Sequence, residues 1–182
     1  MDQADKEEPV KKFPSLMAKP YLYTVADKMV NESLLGLVKS RRMIITWLCC
    51  AICLWDALFF EGRFNALISK KEEDSDELVR RCKFIYENIP SDKMPVKPVI
   101  HYKYTELNIP SIGSTIKGFA QGPDQLRQRG CSRIFADEIA FWENARKTFV
   151  AMKPTLEGGG KVVLVSTRYP GFFKEIVEDE AA

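Results

Sequence analysis

An α/β fold with a mostly parallel central sheet is predicted by three observations. Apolar runs of strand length, without polar alternation, recur along the chain: LLGLV at 34–38, IFA at 134–136 and VVLV within KVVLVS at 161–166. Strands covered by helices on both faces read this way. Segments of helical spacing lie between the runs, so the pattern alternates as βαβ units do. Glycine and proline then mark the joints, at Pro20, Pro90 and Gly158 to Gly160.

A chain of 182 residues can bury a full core, and it divides into a polar arm at 1–18 and one domain at 19–182. Lys and Arg total 27 against 25 Asp and Glu, so any contact with nucleic acid must come from local patches. Five cysteines, with Cys49, Cys50 and Cys53 crowded together, do not resemble a secreted disulfide framework and point to a reducing cytoplasm. Cys50-x-x-Cys53 has no second pair near it, and the lone His101 is far along the chain, so buried thiols are expected there rather than metal ligands. The apolar stretch from Met43 to Phe60 is interrupted by Asp56, an acid that would cost about 2.5–3.5 kcal/mol at a bilayer centre. It reads as a core helix. MDQADKEEPVKK at the N-terminus lacks the apolar centre of a secretory signal.

Taken in order, Pro20 suits a first helical position and Leu22, Val25, Ala26, Met29 and Val30 share one face, giving a helix over Tyr21 to Asn31. Leu34 to Val38 is a strand, and KSRRMIIT leads from it into the long helix. Strand, basic turn and helix make the layout of a phosphate-binding loop, here Lys39 to Ile45 with Thr46 opening the helix. Backbone N–H groups and the helix dipole favour phosphate, and the Thr46 hydroxyl is placed to ligate Mg²⁺. The usual Gly-x-x-x-x-Gly-Lys-Ser/Thr spacing puts Ile44 at the second glycine and Ile45 at the lysine. Positive charge must therefore come from Lys39, Arg41 or Arg42, and the loop must approach phosphate without glycine's freedom. A basic turn that only caps a strand is the plain alternative.

Arg63 to Ser69 is the next strand. Asp74 with Glu77 resembles a capping box, and Leu78, Cys82, Ile85 and Ile89 continue a helix until Pro90. HYKYTELN and STIKGFA read as two short strands joined through Ile109 to Gly113 as a hairpin. GPDQLRQRG carries Arg127 and Arg129 on an exposed turn, where solvent is the default for either side chain. The strand of RIFADEIAFW delivers Asp137 and Glu138 to its C-terminal end, the edge at which sheet-based nucleotide enzymes work. In a phosphate-hydrolysing site the first acid holds Mg²⁺, and the second orients and deprotonates the attacking water. Phe141 to Met152 should be helical. The strand Lys161 to Ser166 ends in Ser166 and Thr167, short hydroxyls suited to sensing a γ-phosphate, and FFKEIVEDEAA closes the chain as a helix.

KSRRMIITW, RIFADEIAFW and VVLVST resemble the three ATPase motifs of the large terminase subunit of tailed bacteriophages, the motor that drives DNA into an empty capsid. The resemblance spans Leu34 to Phe173, and its most specific piece is DEIAFW with the upstream GPDQLR. It implies a P-loop NTPase of the additional-strand (ASCE) type, with a mostly parallel central sheet flanked by helices, able to lack its last strand. ATP and Mg²⁺ are the implied cofactors. Lys39, Ser40, Arg41, Arg42, Met43, Ile44, Ile45 and Thr46 would surround the phosphates, Thr46 and Asp137 would serve the metal, and Glu138 would be the catalytic base. Ser166 and Thr167 match the coupling motif. An arginine acting in trans is implied before the acidic strand, Arg127 in preference to Arg129, and Tyr21 or Tyr23 is the candidate for stacking on adenine. Implied partners are double-stranded viral DNA, the portal protein, the small terminase subunit and further copies of the chain in a ring, with no membrane, in the host bacterial cytoplasm at the procapsid portal. The nuclease domain of such proteins has no counterpart in these residues. Two other readings stay open: a helicase-like DNA translocase, which needs a second motor domain, and a catalytically inactive interaction module in which Ile44 and Ile45 record a lost site.

Overall fold

A computed structural model describes residues 19–41, 43–124 and 130–179. In chain order the elements are α1 (Tyr21–Asn31), β1 (Leu34–Val38), α2 (Ile45–Phe59), β2 (Phe64–Ser69), α3 (Glu72–Glu87), β3 (His101–Lys103), β4 (Glu106–Ile109), β5 (Ser114–Ala120), β6 (Arg133–Asp137), α4 (Ala145–Glu157), β7 (Lys161–Ser166) and α5 (Phe172–Asp179). Short 3-10 turns at Pro110–Ile112 and Ile139–Phe141 complete the path.

The strands form one sheet in the order β1-β7-β6-β2-β5-β4-β3. The first five are parallel, and β4 and β3 extend the sheet as an antiparallel hairpin. In space β7 lies between the strand that feeds the basic loop and the strand that carries the acids, the additional strand of the ASCE arrangement. Both faces are covered. Leu67, Phe135, Val163 and Val165 pack with α1, α2 and α3, whereas Ala66, Ile68, Ile134, Ala136, Val162 and Leu164 pack with α4 and α5. Alternate residues of one strand enter two different cores, which is why these strands show no polar alternation. No helix among the described residues is long and apolar enough to cross a membrane. The helix from Ile45 instead lies in the first core, where Cys49, Cys50 and Cys53 are fully buried free thiols.

Three local expectations need correction. HYKYTELN is two strands rather than one, folded back at Thr105, whose φ is 58°. The cause lies in α3: buried Asp76 accepts hydrogen bonds from Thr105 N at 2.7 Å and from the Tyr102 hydroxyl at 2.9 Å, and so fixes the turn. Asp74 is no cap, because α3 already starts at Glu72 after Lys71. It sits in a first turn with Glu72 and Glu73, where three carboxylates complement the helix dipole. The helix expected from Phe141 starts only at Ala145, since the preceding residues form a 3-10 turn around the acids.

Candidate active site

Parallel pairing brings the tips of three strands to one edge. Val38 lies opposite Ser166, and Asp137 lies opposite Val165. Lys39 N donates to Ser166 O at 2.9 Å, so the basic loop begins as a continuation of the sheet. From there the chain turns into α2 through Ile44, whose φ of 62° and ψ of 5° are left-handed. A β-branched residue rarely adopts this conformation, and it is the one that the second glycine of the usual loop supplies freely. The turn is braced from outside by the Tyr21 hydroxyl, which donates to Met43 O at 2.8 Å, and from α2 by Leu48 N, which donates to Ile44 O at 3.0 Å. Ile45, at the usual lysine position, is 3% exposed and belongs to the core.

The cation comes from the front of the loop. Lys39 Nζ stands 2.9 Å from Glu138 Oε1 and 3.7 Å from Asp137 Oδ1, and it donates to Thr46 Oγ1 at 3.2 Å. Thr46 Oγ1 in turn donates to Asp137 Oδ1 at 3.3 Å. The other oxygen of Glu138, Oε2, accepts from Ser166 Oγ at 3.2 Å and Thr167 N at 3.4 Å. Glu138 also has a left-handed backbone, φ 54°, and these contacts on its carboxylate help to hold a conformation that costs of order 1–3 kcal/mol. Ser166 Oγ accepts from Ala140 N at 3.2 Å and Trp142 Nε1 donates to Asp137 O at 3.1 Å, so DEIAFW ties its turn to the end of its own strand and to the end of β7.

Burial pushes the Asp137 carboxyl above its ordinary value, and Glu138 beside it adds to the push; Lys39, Arg81 and the Thr46 hydroxyl oppose it. The site therefore holds Asp137 at the cost of desolvation, with a second carboxylate beside it, and favours a cation that reaches it. Thr46 and Asp137 offer a hydroxyl and a carboxylate to a hard ion, and an ammonium already lies beside both. No cluster of three or more His, Cys, Asp or Glu side chains suited to a metal exists among the described residues. A divalent ion here would take most of its ligands from phosphate and water, the habit of Mg²⁺.

Of the loop residues singled out in the sequence, Lys39 and Thr46 meet the acids, while Ser40 and Arg41 are exposed. Arg42, Arg127, Arg129 and the arm at 1–18 lie outside the described residues. Tyr21 is engaged with the loop through its hydroxyl, and Tyr23 is 53% exposed. Two neighbours of the site carried no assignment from the sequence. Trp142 belongs to the motif, but its indole bond to Asp137 O depends on the fold of the 3-10 turn between them, and Arg81, stacked at 5.3 Å over Trp47, is brought by the packing of α3 on α2 to where its charge acts on Asp137.

No family model matches the chain. Solved structures do match its fold. The large terminase of bacteriophage HK97 superposes with a TM-score of 0.69 at 13% identity, over 98% of this chain and 38% of that one. The fold is that of phage large-terminase ATPase domains. The large terminase ATPase domain of Thermus phage P74-26 gives a TM-score of 0.62 at 15% identity, over 83% of this chain and 67% of that one. A large terminase from a thermophilic bacteriophage, solved in complex with ADP, gives 0.58 at 13% identity, over 80% of this chain and 37% of that one. The chain thus spans well under half the length of the whole terminases it matches.

Proposed function

We propose that this chain is the ATPase motor domain of a phage large terminase, hydrolysing ATP to drive double-stranded viral DNA into the procapsid. The observation that carries the reading is the meeting of Lys39, Thr46, Asp137 and Glu138 within hydrogen-bond or ion-pair reach at one sheet edge, in a fold shared with terminase ATPase domains. Mg²⁺ arriving with ATP would neutralise charge at the β- and γ-phosphate oxygens. Thr46 and Asp137 would hold the ion. The loop from Lys39 to Thr46, Ser40, Arg41, Arg42, Met43, Ile44 and Ile45 included, would wrap the phosphates with its amides, Lys39 adding the charge that Ile45 cannot. Glu138 would place water in line with the γ-phosphate and accept its proton at a carboxylate oxygen.

Ser166 and Thr167 touch Glu138 from β7, the strand between the loop and the acids. Loss of the γ-phosphate would move Glu138, and these contacts would pass the shift into β7, which fits a coupling role. Arg127 would act on a neighbouring copy in a ring assembled on the portal protein, in the host cytoplasm, with the small terminase subunit delivering DNA. An arginine supplied in trans is worth roughly 10³–10⁵ in rate, so the isolated chain should turn over slowly.

The strained Ile44 also favours a second reading, an interaction module that no longer binds nucleotide. Binding of a fluorescent ATP analogue with Mg²⁺ separates the two. Saturable binding, with turnover that rises on portal-bearing procapsids for wild type but not for Arg127→Ala, supports the motor. No binding supports the module, and equal turnover of both proteins with and without procapsids removes the trans role.

A further inference from the structure

We propose that Lys39 is a resident counter-cation that makes the site accept its divalent metal only together with nucleotide. The idea deepens the ATPase reading and rests on it. One nitrogen stands within hydrogen-bond or ion-pair reach of an oxygen from each of the three side chains that could approach a hard ion: Thr46 Oγ1 at 3.2 Å, Asp137 Oδ1 at 3.7 Å and Glu138 Oε1 at 2.9 Å. The Lys39 side chain is 12% exposed and that of Asp137 13%, whereas that of Glu138 is 36% exposed, so at Asp137 the ammonium is largely screened from bulk water, and there a divalent ion at the same oxygen would repel it strongly. Free metal must therefore evict the ammonium.

Without nucleotide the ammonium has nowhere comparable to go. Lys39 N is bonded to Ser166 O, which fixes the backbone at the end of the sheet and leaves only the side chain to swing. A triphosphate changes both sides of the exchange, because its oxygens receive the ammonium while the metal arrives already bound to them. Ile45 is sealed in the core and Ile44 is apolar, so no cation at either position can do the swinging instead. Lys39 thus selects the metal–nucleotide complex over the free ion, and it screens the paired acids while the site waits.

The test uses Mn²⁺ as the probe, titrated into the full chain at pH 8 without nucleotide and followed by electron paramagnetic resonance. Lys39→Met should gain one Mn²⁺ site at least about tenfold tighter than wild type, a difference equivalent to about 1.4 kcal/mol. Lys39→Gln should behave likewise, and adding Asp137→Asn to either should abolish the gain. Wild type should take up Mn²⁺ only when a non-hydrolysable ATP analogue is present. Equal Mn²⁺ affinity for wild type and both folded variants overturns the proposal, as does wild-type uptake that is the same with and without the analogue. Because the first comparison contains no nucleotide, its failure leaves the ATPase reading standing. Failure of that reading would appear separately, as absent analogue binding.

Discussion

Ile44 offers a sharp test, because two substitutions that remove nearly the same side chain should differ in sign from the usual rule. Its φ of 62° lies in the left-handed region, which costs a residue with a Cβ about 1–2 kcal/mol. Ile44→Ala keeps that strain and loses the half-buried branches; Ile44→Gly loses the same branches and the strain together. Glycine loses about 0.5–1 kcal/mol more conformational freedom on folding. The glycine variant should therefore be the more stable by roughly 0.5–1 kcal/mol, the remainder of those two terms. Equilibrium urea unfolding followed by tryptophan fluorescence reads the difference. Ala51→Gly inside α2 serves as the control, since glycine there should cost about 1 kcal/mol. An Ile44→Ala protein as stable as Ile44→Gly, or more so, would show that the loop does not turn through a left-handed residue.

Other substitutions probe what holds the acid strand and its neighbours. Arg133 is 3% exposed, donates to Met29 O at 2.6 Å and stands 3.7 Å from buried Asp56, so Arg133→Met should destabilise by about 3–5 kcal/mol in urea unfolding; a loss below 1 kcal/mol would deny the buried pair a structural role. Glu106 would be raised by burial, but bonds from Asn108, Lys103 and Lys117 outweigh that and bring it down to about 2. Its ionised form therefore stabilises the fold above the ordinary value of 4.5, and the contribution fades as pH falls from there toward 2. Glu106→Gln should cost about 1.5–3 kcal/mol at neutral pH, with the gap to wild type closing over that acid window; a pH-independent gap would contradict the assignment. Gly118→Ala would put a Cβ 2.9 Å from Ser75 O, in the contact of β5 with α3, and should cost about 1–3 kcal/mol by overpacking; an unchanged melting temperature would mean that α3 shifts freely.

The sheet was legible because its strands are buried on both faces. Leu34–Val38 and Lys161–Ser166 are continuous apolar runs, and their bounds in the structure match those read from the sequence. The glycine-like requirement at position 44 was also visible, since the loop spacing asks for glycine where isoleucine stands. What stayed hidden depends on contacts distant in sequence. Asp76 bends HYKYTELN from another element, Arg133 pairs with Asp56 across two secondary structures, and the charge of Arg81 bears on Asp137 only because α3 packs on α2. Among Lys39, Arg41 and Arg42, charge alone could not choose. Geometry brings Lys39 to the acids because its backbone continues the sheet edge, while Arg41 is exposed.

Single-turnover hydrolysis of γ-labelled ATP by Glu138→Gln, with analogue binding measured on the same sample, tests the central claim most directly. If the acid doublet and the basic loop serve one triphosphate, binding should survive while the chemical step slows by about 10²–10⁴, the usual worth of a positioned base. Hydrolysis at the wild-type rate, with Mg²⁺ and nucleotide saturating, would contradict the account, because the carboxylate 2.9 Å from Lys39 would then take no part in the reaction.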